Sequence, residues 1–415
     1  MTTPTTPPRR THRYVLMLGA MCALGAISSD IYLPALPDVQ ADLHSSAAAA
    51  QFTITAMMIG GAVGQLVIGP LSDRFGRRRP ALIGIGAHVL VSLLCAFAPA
   101  MGLLIVFRGL QGFFNAAAGV VAIAIIRDRF VGADASRLMS RLMLVIGVAP
   151  LFAPTIGGYI GGWVSWRGIF VALAAYGAGL LVLAGAKLPE SLPSDRRIEA
   201  VRSTWKGYPT LMRDREFVAL GIVPALCQGV LMSYVVASPY VFLQGHHLST
   251  GQFGLLFAIN GAGLILGSQV SAGLVRRFSP AVLLRAAAPV LVGLTAILFT
   301  VSITRIGGLI GLLVALFTVC FFINICPPNA STLALGRHGR RAGTAAAWIG
   351  FLQSGLAGAI APLVGVFGLT STAMSAVMLG SAAAALAVLT LGTPLFRRGG
   401  AARLDRASLR DVTEG

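Results

Sequence analysis

One carboxylate of this sequence lies inside a long apolar run, in the stretch SSDIYLPALP at positions 28–37. The run begins near Tyr14, and Asp30 is its one acid; the other thirteen of the fourteen Asp and Glu residues fall at run ends or in polar segments. Burial disfavours the charged form of a carboxylate, so Asp30 could bind a proton at one membrane face and release it at the other. The alternative is a helix-end residue that faces external water, because Pro34 and Pro37 follow closely.

Composition places the chain in a membrane. Of its 415 residues, 56% are hydrophobic and 11% are charged, against about 25% charged residues in soluble domains. The net charge of +18 does not predict nucleic-acid binding, because the basic residues lie in short segments between apolar runs. The five cysteines fall inside apolar runs, which predicts buried thiols and no disulfide framework. The first run has no cleavage site of the signal-peptide type, so we expect it to be a span.

A helix needs about 20 apolar residues to cross a bilayer. Runs of that kind predict an all-α polytopic membrane protein with twelve transmembrane helices. The predicted spans are 14–36, 47–71, 80–98, 101–126, 138–161, 166–187, 217–241, 251–275, 281–301, 306–327, 343–366 and 370–393.

Arginines alternate between the loops in a way that orients these spans. They concentrate in the N-terminal tail and after spans 2, 4, 6, 8 and 10, whereas the opposite loops hold almost none. Basic loops mark the cytoplasmic side, so both termini are expected there. The long polar segment between spans 6 and 7 predicts two six-helix bundles, as in transporters built from repeats. The expected divisions are a tail at 1–13, a bundle at 14–187, a linker at 188–216, a bundle at 217–393 and a tail at 394–415.

Three motifs combine charge, glycine and proline at particular spacings. The first, Gly-Pro-Leu-Ser-Asp-Arg-Phe-Gly-Arg-Arg-Arg at 69–79, could form an ion pair that breaks and re-forms; its alternative is a basic anchor. In span 4, Arg108, Gln111 and Asn115 share one helical face, where a purely structural arginine is the alternative. In span 5, Pro150 and Pro154 are expected to bend the helix before a run of small residues that permits close helix packing. The alternative is an ordinary kinked helix with a packing role alone.

These motifs resemble the signatures of the major facilitator superfamily. The resemblance implies that the first motif holds the cytoplasmic side closed and then releases it, a gating role for Gly69, Asp73, Arg74, Gly76, Arg77 and Arg78. It associates Arg108 with proton coupling. The span 5 pattern is similar to the superfamily's antiporter signature at Pro150, Pro154, Gly157 and Gly158, although Ala149 stands where glycine is commonest.

Further stretches resemble the Bcr/CflA drug-resistance transporters in particular. They are SSDIYLPALP, the Ala-Pro-x-x-Ala-Pro-x-x-Gly-Gly form of span 5, WRGIF at 166–170, SPYVF at 238–242 and FGLLFA at 253–258. This resemblance implies export of drugs such as bicyclomycin, chloramphenicol or sulfonamides across the bacterial cytoplasmic membrane. The implied energy source is the proton gradient, with no cofactor and no metal. The expected partners are the drug, protons and the bilayer, with no nucleic acid, and the protein is expected to be a monomer.

Polar and aromatic residues within the spans are candidates for a central substrate pocket. They are Tyr32, Gln111, Asn115, Tyr234, Asn260, Asn324 and Gln353. Each could equally be a contact between helices. His88 in span 3 has no evident acidic partner, so we expect it to pack.

Other functional classes fit the sequence less well. An ATP-driven pump needs a Gly-rich phosphate loop ending in Lys, and neither Lys187 nor Lys206 belongs to one. The spans offer no paired histidines or carboxylates for a membrane enzyme. Two alternatives stay open: an exporter of a metabolite made by the cell itself, with the same fold, and a membrane sensor that transports nothing.

Overall fold

The computed structural model describes residues 8–130, 138, 142, 152–192, 211–337, 342–397 and 399–405. Within these residues the chain is nearly all helical and contains no β-strand. Eleven helices there are long and apolar enough to cross a membrane. The predicted all-α polytopic membrane fold is therefore confirmed.

The observed helices follow the predicted spans closely, and the span numbers are kept below. Their bounds are Pro8–Asp30 and Leu36–Asp42 (span 1), Ala47–Phe75 (2), Arg78–Ala96 (3), Met101–Arg129 (4), 152–164 (5), Trp166–Lys187 (6), Arg215–Ser238 (7), Thr250–Leu274 (8), Pro280–Thr304 (9), Gly308–Ile323 and Cys326–Gly336 (10), Ala342–Ile360 and Leu363–Val366 (11) and Ser371–Gly392 (12). Much of predicted span 5, with Pro150, lies outside the described residues, as does most of the predicted linker.

Capping residues fix where several spans begin. The Ser249 side chain accepts a hydrogen bond from the backbone N–H of Gln252, and the Gln252 side-chain oxygen accepts one from the backbone N–H of Ser249. This reciprocal capping box starts span 8. Ser279 caps span 9, with Pro280 in the first turn, where a missing N–H costs nothing.

Span 1 breaks at the residue that the sequence singles out. Its long helix ends at Asp30, a 3₁₀ turn covers Leu33–Ala35, and a short helix follows from Leu36. Pro34 and Pro37 have no backbone N–H to donate to the preceding turn, which explains why the helix cannot continue. The chain stays within one apolar segment through Asp42.

Spans 2 and 4 approach each other more closely than side chains would allow. A Cβ atom at Gly60 would overlap the carbonyl oxygen of Gly109, and one at Gly112 would overlap the carbonyl oxygen of Met57. Glycine at these positions lets the two backbones touch. The contact fixes span 4, and with it Arg108, against the rest of spans 1–6, called here the first half.

Spans 7–12 are called here the second half. Two of the contacts between the described residues of the two halves, called seams here, are formed as follows. Span 5 contacts span 8 where Thr155 faces Gly254, and span 2 contacts span 11 where Gln51 faces Gly365. In the same span 2 seam, the Gln65 amide donates to the Ser354 hydroxyl at 3.4 Å. The central side chains described next lie on the helices that form or adjoin these seams.

Candidate functional site

Asp30 is buried although it ends a helix. The residue is 7% exposed, and its carboxylate accepts a hydrogen bond from the Ser29 hydroxyl at 3.0 Å. Among the described residues, no Lys, Arg or His lies within 4.0 Å of it. Asp30 therefore lies at a helix end and yet away from solvent, and its proton-carrying role stays a prediction.

Span 5 presses against span 1 immediately after Asp30. A Cβ atom at Gly157 would overlap the carbonyl oxygen of Ile31, so only glycine allows this approach. A Cβ atom at Gly158 would meet the Thr250 side chain of span 8. Pro154, one turn earlier, lies within the same helix. The described part of the predicted antiporter motif therefore packs between the buried acid and the second half.

Arg108 is fully buried and has no carboxylate partner among the described residues. Its guanidinium lies over the rings of Tyr32 and Phe170, 4.7 and 5.6 Å from their centroids. Nη1 donates to the Ser28 carbonyl oxygen at 3.1 Å and to Gln111 Oε1 at 2.6 Å. Nε and Nη2 have no acceptor among the described residues. Within the part of the chain that the structure describes, only aromatic faces and neutral oxygens contact the charge of Arg108. One of these oxygens belongs to Ser28, two residues before Asp30 in span 1.

A chain of hydrogen bonds extends from Arg108 into span 3. Gln111 Nε2 donates to the Ser92 hydroxyl at 2.8 Å, and that hydroxyl donates to the His88 carbonyl oxygen at 2.7 Å. His88 Nε2 lies 3.4 Å from the same hydroxyl oxygen. Sequence reasoning missed Ser92 and the link to His88. Their spacing of four residues, which places both on one helical face, was the available signal.

The other predicted pocket residues do not form one group. Tyr32 accepts a hydrogen bond from Thr53 at 3.3 Å, and the oxygen of the buried Asn115 amide has no hydrogen-bond partner among the residues described. In the second half, Asn260 donates to the Tyr234 hydroxyl at 3.1 Å. The Tyr234 ring in turn stacks on Phe257, with centroids 5.5 Å apart.

Two further candidates lie in spans 10 and 11. Asn324 donates to the Leu264 carbonyl oxygen at 3.0 Å, where it joins span 10 to span 8 at the break in span 10. Gln353 is partly exposed. Their part in substrate binding stays a prediction, as does that of the other pocket candidates.

The charged loop after span 2 is organised around Arg77. Its guanidinium pairs with Asp73 at 2.5 Å and with Asp128, in the last turn of span 4, at 2.9 Å. Nη1 also donates to the Ser72 hydroxyl at 2.7 Å. Burial alone would lower the pKa of Arg77, but the two carboxylates hold it above its usual value. The side-chain hydrogen bonds of Arg77 all stay within the first half.

Glu190, just after span 6, closes the same loop. Its carboxylate accepts from the backbone N–H of Arg77 at 2.8 Å and of Arg78 at 3.3 Å. Burial alone would raise the pKa of Glu190, but these N–H groups and those of Ser191 and Leu192 hold it below its usual value. Gly76 has a φ of +86°, and a Cβ atom there would overlap the Glu190 carboxylate. Asp128 and Glu190, which the sequence places at run ends or in polar segments, are thus bonding partners of the charged motif at 69–79.

The remaining residues of the predicted gate are spread around this cluster. Arg78 donates to the Gly185 carbonyl oxygen at 2.7 Å, which ties the loop to span 6. Arg74 lies over the Phe75 ring, 5.2 Å from its centroid. A Cβ atom at Gly69 would meet nothing within 4 Å. Opening and closing by this loop stays a prediction.

Comparison with known proteins decides the family. The model of the Major Facilitator Superfamily matches residues 16–362. The chain belongs to this superfamily. Its members are transporters, so the protein is a transporter and not an enzyme. Within the residues that the structure describes, no three His, Cys, Asp or Glu side chains form a group that could hold a metal ion.

Relatives confirm the resemblance to drug-resistance transporters. A Bacillus subtilis (strain 168) protein, described as the uncharacterized MFS-type transporter YdgK, is 36% identical over 368 residues, 87% of this chain and 90% of its own. A Haemophilus influenzae protein, described as a bicyclomycin resistance protein homolog, is 29% identical over 86% of this chain and 89% of its own. The Escherichia coli multidrug resistance protein MdtL is 27% identical over 82% and 85%.

Solved structures support the fold. A bacterial homologue of the human lysosomal transporter Spinster, inward-facing and unoccupied, has a TM-score of 0.73 at 15% identity and covers 97% of this chain and 99% of its own. A D-xylose–proton symporter also has a TM-score of 0.73, at 16% identity, and covers 93% and 99%. At these identities the likeness concerns the fold alone.

Proposed function

We propose that the protein exports small drugs or antibiotics in exchange for protons by alternating access. The relatives named for bicyclomycin and multidrug resistance support the substrate class. The proposed substrates are chloramphenicol, bicyclomycin or sulfonamides, and the energy source is the proton gradient with no cofactor. The proposed location is the bacterial cytoplasmic membrane, with both termini on the cytoplasmic side because the basic loops lie there.

The observation on which the proposal rests is the position of Asp30. The residue is 7% exposed, and its carboxylate accepts a hydrogen bond from the Ser29 hydroxyl. A buried carboxylate without a cation is favoured in its protonated form. When span 1 moves and admits water or a drug, the same group can lose its proton. One site can therefore exchange a proton for a drug.

Arg108 supplies the nearby charge that such an exchange requires. It binds the Ser28 carbonyl oxygen, two residues before Asp30, and its Nε and Nη2 atoms have no acceptor in the described part of the chain. After proton loss, these donors are available to a carboxylate or to a polar group of the drug. Gly157 of span 5 contacts span 1 at Ile31, so a movement of span 5 reaches the acid directly.

The test is transport by the purified full-length protein in liposomes with an imposed pH gradient. Exchange of one proton for one uncharged drug would sustain a drug ratio of up to about tenfold per pH unit, since 1.4 kcal/mol corresponds to a factor of ten. We expect drug accumulation that follows the gradient and disappears with a proton ionophore. Accumulation that ignores the gradient would contradict proton exchange. Absence of transport for every drug would favour export of a metabolite made by the cell.

A further inference from the structure

Gln111 is engaged on both sides of its amide. Its Oε1 atom accepts from Arg108 at 2.6 Å, and its Nε2 atom donates to Ser92 at 2.8 Å. Arginine is only a donor, so the atom that faces Arg108 must be the carbonyl oxygen. The amide nitrogen must then find an acceptor on the other side. Gln111 is fully buried, and in this structure both ends of its amide have partners within the first half.

Ser92 is the acceptor that fixes this orientation. Its hydroxyl proton goes to the His88 carbonyl oxygen one turn earlier, at 2.7 Å. The lone pairs of the hydroxyl oxygen are therefore left for Gln111. Ser92 is itself fully buried, so no solvent competes for the bond. Without this hydroxyl, Gln111 Nε2 would lose its acceptor, and the Gln111 side chain would be held by the Arg108 bond alone.

We propose that Ser92, in span 3, is a positioning residue that acts through Gln111 to hold Arg108 beside span 1, and that Gln111 does not contact the drug. The two Nη1 bonds of Arg108, to Ser28 and Gln111, join span 1 to span 4. Ser92 extends that connection to span 3. The inference rests on the proposed function, because it concerns the arginine beside the proposed proton site.

The first experiment separates positioning from drug contact. Drug-dependent proton flux is measured in liposomes for the wild type, Ser92→Ala and Gln111→Leu. We expect the maximal rate to fall about tenfold in both variants, with the KM for the drug within about twofold of wild type. A raised KM with an unchanged rate in Gln111→Leu would overturn the inference, because it would make Gln111 a drug contact.

Matched variants control for the loss of a buried hydroxyl. Ser375 in span 12 is fully buried and donates to the Ser371 carbonyl oxygen one turn earlier, as Ser92 does to His88, but no described side chain donates to it. Ser375→Ala is expected to keep the wild-type rate. Threonine and valine have the same shape, but only threonine keeps the hydroxyl. Ser92→Thr is therefore expected to transport faster than Ser92→Val. Equal rates for the Thr and Val variants would overturn the inference.

The double variant tests the link without a drug. The unfolding temperature is measured for Ser92→Ala, for Gln111→Leu and for the variant that carries both. If Ser92 acts through Gln111, the fall in the double variant is smaller than the sum of the falls in the two single variants. Additive effects would overturn the link. Because this measurement needs no substrate, it still decides the inference if the wild type transports none of the drugs. A wild type that transports none of the drugs would count against the proposed function alone.

Discussion

Arg77 and Arg108 are both buried in the first half, 7% and 0% exposed, but their surroundings differ. Arg77 pairs with two carboxylates and the Ser72 hydroxyl. Arg108 binds two neutral oxygens and two aromatic faces, and within the residues that the structure describes two of its nitrogens have no acceptor. A charge with its counter-ions in place stabilises one arrangement of its neighbours. A buried charge without them is costly and gains by a rearrangement that supplies an anion.

The difference assigns distinct tasks to the two ends of the first half. The Arg77 cluster joins spans 2, 4 and 6 through Asp128 and the residues around Glu190. The Arg108 site joins spans 1, 3 and 4 next to the one acid that the sequence places within a span. We therefore expect Arg77 to matter most for stability and Arg108 most for transport.

The largest expected effect is on transport by Arg108→Met. Methionine fills a similar volume without the charge, so the variant is expected to lose transport almost completely. Its free energy of unfolding is expected to change by at most about 1–3 kcal/mol, because the Gln111 oxygen loses a partner while a buried charge is removed. Liposome transport and denaturant unfolding in detergent measure the two quantities. Full transport by this variant would remove Arg108 from the mechanism.

For Arg77→Met the expected order is reversed. Removing one partner of a buried ion pair costs about 3–5 kcal/mol, and here Asp128 would be left with its charge uncompensated. Unfolding in detergent is expected to show a loss near the lower end, since Asp73 is 26% exposed. Arg79→Met is the matched control, because Arg79 is exposed. Equal stability of the two variants would contradict the structural role of Arg77.

The smallest expected effect concerns acid pH. The pKa of Glu190 is held below its ordinary value of 4.5, so the contribution of Glu190 to stability is complete above that pH. The contribution is lost as the pH falls through the lower, folded-state pKa. Glu190→Gln is therefore expected to lose less stability than the wild type between pH 5 and the acid limit of folding. Parallel pH profiles of unfolding for the two proteins would contradict this assignment.

The sequence predicted the spans well because apolar length is set by the bilayer and the ends are marked by capping residues. Span 8 begins at Thr250, one residue before its predicted start, after the Ser249 cap. Span 10 shows the limit of such reasoning. The predicted span ends at residue 327, but Pro327 and Pro328 occupy the first turn of a second helix that runs to Gly336. Proline is tolerated there, so the apolar segment continues.

The connections between spans could not be predicted in the same way. The sequence indicated Asp30 and Arg108 because charge is rare within spans, and it indicated Asp73 and Arg77 through their motif. It did not identify Ser92 as the partner of Gln111, or Asp128 and Glu190 as the partners of Arg77. Those partners lie 19 to 113 residues away along the chain, and their contacts depend on how the helices pack.

The most direct test of proton exchange at Asp30 is drug-dependent proton flux in liposomes, measured for Asp30→Asn and for Asp38→Asn. Asparagine keeps the size and the hydrogen-bond acceptor of Asp30 but cannot take up the proton. Asp38 is the matched control, an exposed carboxylate in the same span. Asp30→Asn is expected to lose at least about tenfold in flux, while Asp38→Asn stays within about twofold of wild type. Wild-type flux in Asp30→Asn would contradict the central role of this carboxylate.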